Sequence, residues 1–167
     1  MKKILSIILL VGASLNLKAQ RDLVKGEHLA QPELKKFAGE WVYSNDTVTF
    51  TVYLRFEKYY FKELDVYLDQ LQGDYTLTRN GKTIQTSVGK SHALMGGSFV
   101  DKKLSANKIR FLFADLGKSK EGDVTLELLD DNPNKAKWIL TNTQGTAIGY
   151  YDFKFSIPTN MILKKVK

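Results

Sequence analysis

The chain has no cysteine, only two histidines and only three prolines in 167 residues. Without cysteine there is no disulfide to staple a fold, no thiolate to act as nucleophile or metal ligand, and no cysteine to carry a lipid after a leader. His28 lies in a polar stretch and His92 sits beside Ser91. A zinc site would need both plus carboxylates, and two surface histidines are the commoner reading. Ser91 and His92 are sequence neighbours, so an extended strand sends them to opposite faces, and no nucleophile-elbow pattern occurs. No catalytic residue, metal or cofactor is assigned, and the chain is not read as an enzyme. With Pro32, Pro133 and Pro158 far apart and no low-complexity tract or repeat, nothing divides the chain into domains.

Long apolar runs are missing too, with one exception at the start. Met1-Lys2-Lys3 precedes Ile4 to Val11, and small and polar residues follow to Ala19-Gln20. A positive start, a short apolar centre and a small residue before the cut make a secretory signal peptide over residues 1–19. The run is too short to span a bilayer. The expectation is an exported protein, periplasmic or secreted, with no lipid anchor and no membrane span. Loss of Lys2, Lys3 and Lys18 with the leader takes the net charge from +7 to +4. That charge is ordinary for solubility and does not point to nucleic acid. The roughly 148 residues that remain suit one domain with a real core.

What is present is alternation. Phe37-Ala38-Gly39-Glu40-Trp41 leads to a break at Asn45-Asp46 and then to Thr47 through Glu57. There Val48, Phe50, Val52, Leu54 and Phe56 fall on one face, and threonines, Tyr53, Arg55 and Glu57 fall on the other. Period two over that length predicts a half-buried antiparallel strand needing partners on both edges. Residues 20–36 read as a polar lead-in, with Pro32 starting a short helical turn that carries Leu34 and Phe37.

Lys62 to Asp69 alternates again with Leu64, Val66 and Leu68 inward. Pairing Arg55 with Asp65 and Leu54 with Val66 would bury both apolar sets. The inward phase then moves to Leu71, Gly73, Tyr75 and Leu77, which predicts a bulge near Gln70. Asn80-Gly81 predicts a two-residue hairpin joining Thr78 to Thr83 and Leu77 to Ile84. Strand-like residues 87–100 are interrupted by Gly89 and Gly96-Gly97. Clear strands follow at 108–113, 123–129 and 137–141, with Asp130 to Asn134 turning between the last two. A looser aromatic segment from Tyr151 to Ile157 leads to a terminal run, Met161 to Val166. Some nine or ten strands with short turns and no crossover helices favour an antiparallel meander closed on itself.

The short helix followed by Gly39-x-Trp41 at the head of a long strand resembles the lipocalin and calycin motif. Phe37 to Trp41, Lys108 to Phe113 and Ile157 to Leu163 are together similar to a lipocalin-like family of exported Bacteroidota proteins of unknown function. The resemblance implies an all-β, lipocalin-like barrel of about eight to ten strands over residues 37–167, with Trp41 plugging one end. Lipocalins stack an arginine over that tryptophan; here the last strand offers Lys164 and Lys165.

Two function classes follow. In the first, the barrel holds a small apolar ligand, lined by Trp41, Phe50, Val52, Leu54 and Phe56 and by Phe111, Phe113 and Trp138. In the second, these side chains fill the barrel, and its outside binds an envelope protein or a glycan. Glu63, Asp65 and Asp69, with Tyr67, have spacings that a glycosidase pair could use, but they also match the solvent face of a strand. Lys102, Lys103, Lys108, Arg110, Lys118 and Lys120 are followed closely by Glu121, Asp123, Glu127, Asp130 and Asp131, which reads as a mixed solvated face.

Overall fold

Gly39 to Ser44 (β2) and Val48 to Phe61 (β3) form the hairpin that the alternation predicts, with Phe50, Val52 and Leu54 buried on one face. The computed structural model describes residues 24–90, the backbone of 94–96, and residues 107–142 and 154–166. The leader at 1–19, Ser91, His92, Gly97, Lys102, Lys103 and the start of the aromatic segment at Tyr151 lie outside the described residues. The other strands are His28–Leu29 (β1), Val66–Arg79 (β4), Lys82–Thr86 (β5), Leu94–Gly96 (β6), Lys108–Asp115 (β7), Lys120–Leu129 (β8), Asn132–Asn142 (β9) and Asn160–Lys165 (β10). Among the described residues the protein is all-β apart from one 3-10 helix, Pro32–Phe37, whose Leu34 and Phe37 are buried.

Eight strands in the order β4-β3-β2-β10-β9-β8-β7-β6 make one curled antiparallel sheet, a half-barrel. Its ends are bridged where β6 returns to β4 at Gln72↔Met95 and Gly73↔Leu94, while β10 joins β2 at Lys164↔Val42 and Lys165↔Trp41. The chain therefore meanders up and down and comes back to its beginning. Two short strands use the rest of the free edge of β4: β1 pairs with it in parallel and β5 antiparallel. Polar edges that would otherwise be exposed are thus occupied.

The β3–β4 register differs from expectation. Arg55 faces Gln72 and Leu54 faces Gly73, and the ladder runs unbroken from Val48↔Arg79 to Phe61↔Val66. No bulge occurs near Gln70. The change of phase has another cause: β3 is longer than its clean alternation, and Lys62 to Asp65 is the turn rather than part of a strand. Val66 and Leu68 are buried on the face opposite Leu71, Tyr75 and Leu77, so both phases bury apolar side chains. Glu63 and Asp65 lie in the turn while Asp69 is buried, so the three carboxylates do not share a solvent face.

At the next hairpin, Asn80 and Gly81 have φ of 48° and 75°, both left-handed, as a two-residue turn of this kind requires. Thr78 meets Thr83 as expected, but a bulge between Leu77 and Thr78 pairs Leu77 with Gln85 and leaves Ile84 exposed. The later strands match their predicted faces: Ile109, Phe111 and Phe113 of β7, Val124, Leu126 and Leu128 of β8, and Trp138 and Leu140 of β9 are buried. On the outside, Lys108 pairs with Glu127 at 3.1 Å and Arg110 with Asp123 at 2.8 Å, a mixed-charge face.

Candidate functional site

Of the eight residues proposed to line the interior, Trp41, Phe50, Val52, Leu54, Phe111, Phe113 and Trp138 are buried together in one core. Phe56 is partly buried at its margin, with the Lys35 ammonium 5.3 Å from its ring centroid. The centre of the half-barrel is a closed circuit of four rings drawn from four strands. Phe50 lies 5.4 Å from Trp138, Trp138 5.8 Å from Phe113, Phe113 5.0 Å from Tyr75, and Tyr75 5.7 Å from Phe50, centroid to centroid. Edge-on and tilted contacts at these separations are the favourable arrangements for aromatic rings. The Trp138 indole N–H is buried without a hydrogen-bond partner among the described residues.

One end of the half-barrel is closed by the helix. The Trp41 indole N–H donates to the Phe37 carbonyl at 2.8 Å, tying the strand to the end of the helix. The Lys165 ammonium stands 5.3 Å from the Trp41 ring centroid and donates to the Lys36 carbonyl at 3.0 Å. A lysine thus covers the tryptophan, and burial lowers the Lys165 ammonium from its ordinary pKa. Just outside, His28 Nε2 lies 2.7 Å from Asp69 Oδ1 and the Gln31 N–H donates to Oδ2 at 2.9 Å, clasping the lead-in to β4. Burial pushes the Asp69 carboxyl up, but the Gln31 N–H and His28 outweigh it and hold the group below its ordinary value. Beyond this end β3 and β4 run on as a hairpin whose Tyr59, Tyr60, Leu64 and Tyr67 are exposed.

The opposite end is closed by polar groups. Asp115 is fully buried at the end of β7. Its Oδ1 accepts from Gln85 Nε2 at 3.0 Å, the Gly117 N–H at 3.0 Å and Ser156 Oγ at 2.6 Å, and its Oδ2 accepts from the Ser156 N–H at 2.6 Å. The Tyr75 hydroxyl accepts from the Leu116 N–H at 3.0 Å and from Gln85 Nε2. Burial raises the Tyr75 phenol above its ordinary pKa, and the Asp115 charge adds to the rise. Lys120, also buried, lies 4.3 Å from the Phe155 ring centroid. Asp115 was not singled out from the sequence, and Lys120, read there as part of a mixed solvated face, is instead buried. The available signal was a charged group on the inward phase of its strand, Asp115 after Ile109, Phe111 and Phe113, and Asp69 before Leu71, Gly73 and Tyr75.

On the outer wall a groove of about 630 Å³ is lined by Tyr53, Leu54, Arg55, Asp74 and Thr76, together with Gly39 and Val88. Arg55 Nη2 donates to Asp74 Oδ2 at 2.9 Å and its Nε to Glu57 Oε1 at 3.3 Å. The carboxylates beside Arg55 are therefore Asp74 and Glu57, whereas Asp65 accepts from the Tyr60 hydroxyl at 2.8 Å. Gly39, in the lining, has φ of 130°, a conformation that side chains disfavour. No group of three or more metal-ligating side chains occurs among the described residues.

No curated protein and no solved structure matches the chain. A family model does match it, across residues 1–166, and the chain belongs to that family, a family of unknown function, DUF6705.

Proposed function

We propose that this is an exported lipocalin-like protein of Bacteroidota type whose interior is filled by its own side chains and whose outside is an interaction module for an envelope protein or a glycan. The observation that carries the reading is the circuit of Phe50, Trp138, Phe113 and Tyr75. Rings in mutual contact from four strands occupy the space that a guest would need. The signal peptide read from the sequence at 1–19 supports work outside the cytoplasm, and an all-β wall with an outer groove offers a surface for it.

A second reading, a carrier of a small apolar molecule, draws support from one atom. The Trp138 indole N–H lacks a partner among the described residues, and a guest with a hydrogen-bond acceptor would satisfy it. Both tryptophans lie in the core, so indole emission separates the two readings. Titration with fatty acids, retinoids and environment-sensitive dyes is expected to leave the emission unmoved. A saturable blue shift or quench would establish the carrier instead. Phe111→Trp is expected to destabilise the fold by about 1–3 kcal/mol, because a filled core is overpacked by the larger ring.

A further inference from the structure

We propose that the outer groove between Tyr53 and Val88 is a binding site for a neutral saccharide. The inference rests on the reading that the protein works through its outside, and it gives that reading a place and a ligand chemistry. At about 630 Å³ the groove falls within the size range of small-molecule sites.

Its charges are balanced in a way that selects the ligand. Arg55 borders the groove with its side chain 42% exposed, in contact with Asp74 at 2.9 Å and Glu57 at 3.3 Å. Arg55 and Asp74 are the charged residues of the described lining, so a ligand anion would meet the carboxylate and a ligand cation would meet the guanidinium. A wholly apolar ligand would cover the apolar part of the lining but would strip water from the ion pair without replacing its hydrogen bonds. Neighbouring sugar hydroxyls each donate and accept, so they match a guanidinium and a carboxylate set side by side. The C–H face of the same sugar has the Tyr53 ring and the half-exposed Val88 to lie against.

The acceptor is also fixed before any ligand arrives. Asp74 is buried, and Ser87 Oγ donates to its Oδ1 at 3.1 Å. Ser87 is itself fully buried and held by two further bonds, the Tyr75 N–H to its Oγ at 2.9 Å and its own N–H to the Tyr75 carbonyl at 3.0 Å. A carboxylate immobilised in this way loses little freedom on binding, which favours affinity for a small ligand.

The test is binding of the full chain to an array of neutral and acidic glycans, followed by calorimetry and saturation-transfer NMR with cellobiose, maltose, lactose, diacetylchitobiose and digalacturonic acid. At least one neutral sugar is expected to bind with Kd of about 0.1–5 mM, and digalacturonic acid about tenfold more weakly or not at all. Tyr53→Ala is expected to weaken the neutral sugar about tenfold with an unchanged melting midpoint. Should Tyr53→Ala lose its fold, Val88→Asp in the same lining reads the same loss. The assignment is overturned if no neutral glycan binds, if the acidic ones bind as well, or if the groove variants bind like wild type. Each of these results bears on the groove alone, since the indole titration reads the filled interior independently.

Discussion

The two ends of the half-barrel are closed by opposite chemistries. At the helix end Leu34, Phe37 and Trp41 make an apolar plug with Lys165 across the tryptophan ring. At the far end a buried carboxylate gathers donors from β5, from the β7–β8 turn and from the segment before β10. The first closure is assembled mainly from residues near in sequence, Phe37 and Trp41 being four apart. The second depends on distant residues, Gln85 and Asp115 being 30 positions apart and Gln85 and Ser156 being 71 apart. Apolar burial is non-directional and tolerant, whereas a buried charge is stable only when its hydrogen bonds are all made. The far end therefore tolerates less error in register than the helix end.

The largest effect that would test this contrast is Trp41→Ala. A plug removed from a curled sheet leaves a cavity that the strands cannot collapse into, and the expected loss in a denaturant melt is about 3–5 kcal/mol. A loss under about 1 kcal/mol would mean that the helix end does not depend on its plug. Asp115→Ala probes the other closure. It strips the acceptor from Gln85, Gly117 and Ser156 at once, and the expected loss is about 2–4 kcal/mol. Asp115→Asn, which keeps the shape and one acceptor oxygen, should lose less. Equal losses for the two variants would show that packing rather than hydrogen bonding closes that end.

A smaller effect reads the helix end by pH. The folded pKa of Asp69 is depressed, so its contribution is complete above the unfolded value of about 3.9 and is lost as pH falls through the lower folded value. Wild type is expected to exceed Asp69→Asn by about 1 kcal/mol at pH 7 and to lose that lead as pH falls below about 4. Amide exchange at Gln31, whose N–H donates to Asp69, should accelerate over the same interval. Parallel melts of the two proteins across the range, with no convergence in acid, would remove Asp69 as the acid-sensitive clasp.

Where the sheet has a core under it, the alternation of apolar residues reads the structure well. Phe50, Val52 and Leu54, and likewise Ile109, Phe111 and Phe113, point as their spacing says. The β3–β4 hairpin beyond the helix end breaks the rule, because past Leu54 the ladder has outrun β2 and no shared core sorts one face from the other. Tyr59 and Tyr60 are adjacent and both exposed, while Val66 and Asp69 are buried on opposite phases. The predicted pairing of Arg55 with Asp65 failed for that reason: a turn placed too early produced a plausible ladder and required a bulge. The outer groove was illegible for a different reason. Tyr53, Asp74 and Val88 belong to three segments, and only the register brings Tyr53 opposite Asp74.

By itself the sequence determined the class of the fold, the short helix before Gly39-x-Trp41, the turn at Asn80-Gly81 and most of the inward faces, since each depends on local backbone preference or on a period of two. Tertiary structure alone decided the register of β3 on β4, the bridge from β6 to β4, the four-ring interior, the Asp115 cluster and the pairing of Arg55 with Asp74. These are contacts between distant segments whose partners are chosen by the cooperative burial of a whole sheet, and no local pattern encodes that choice.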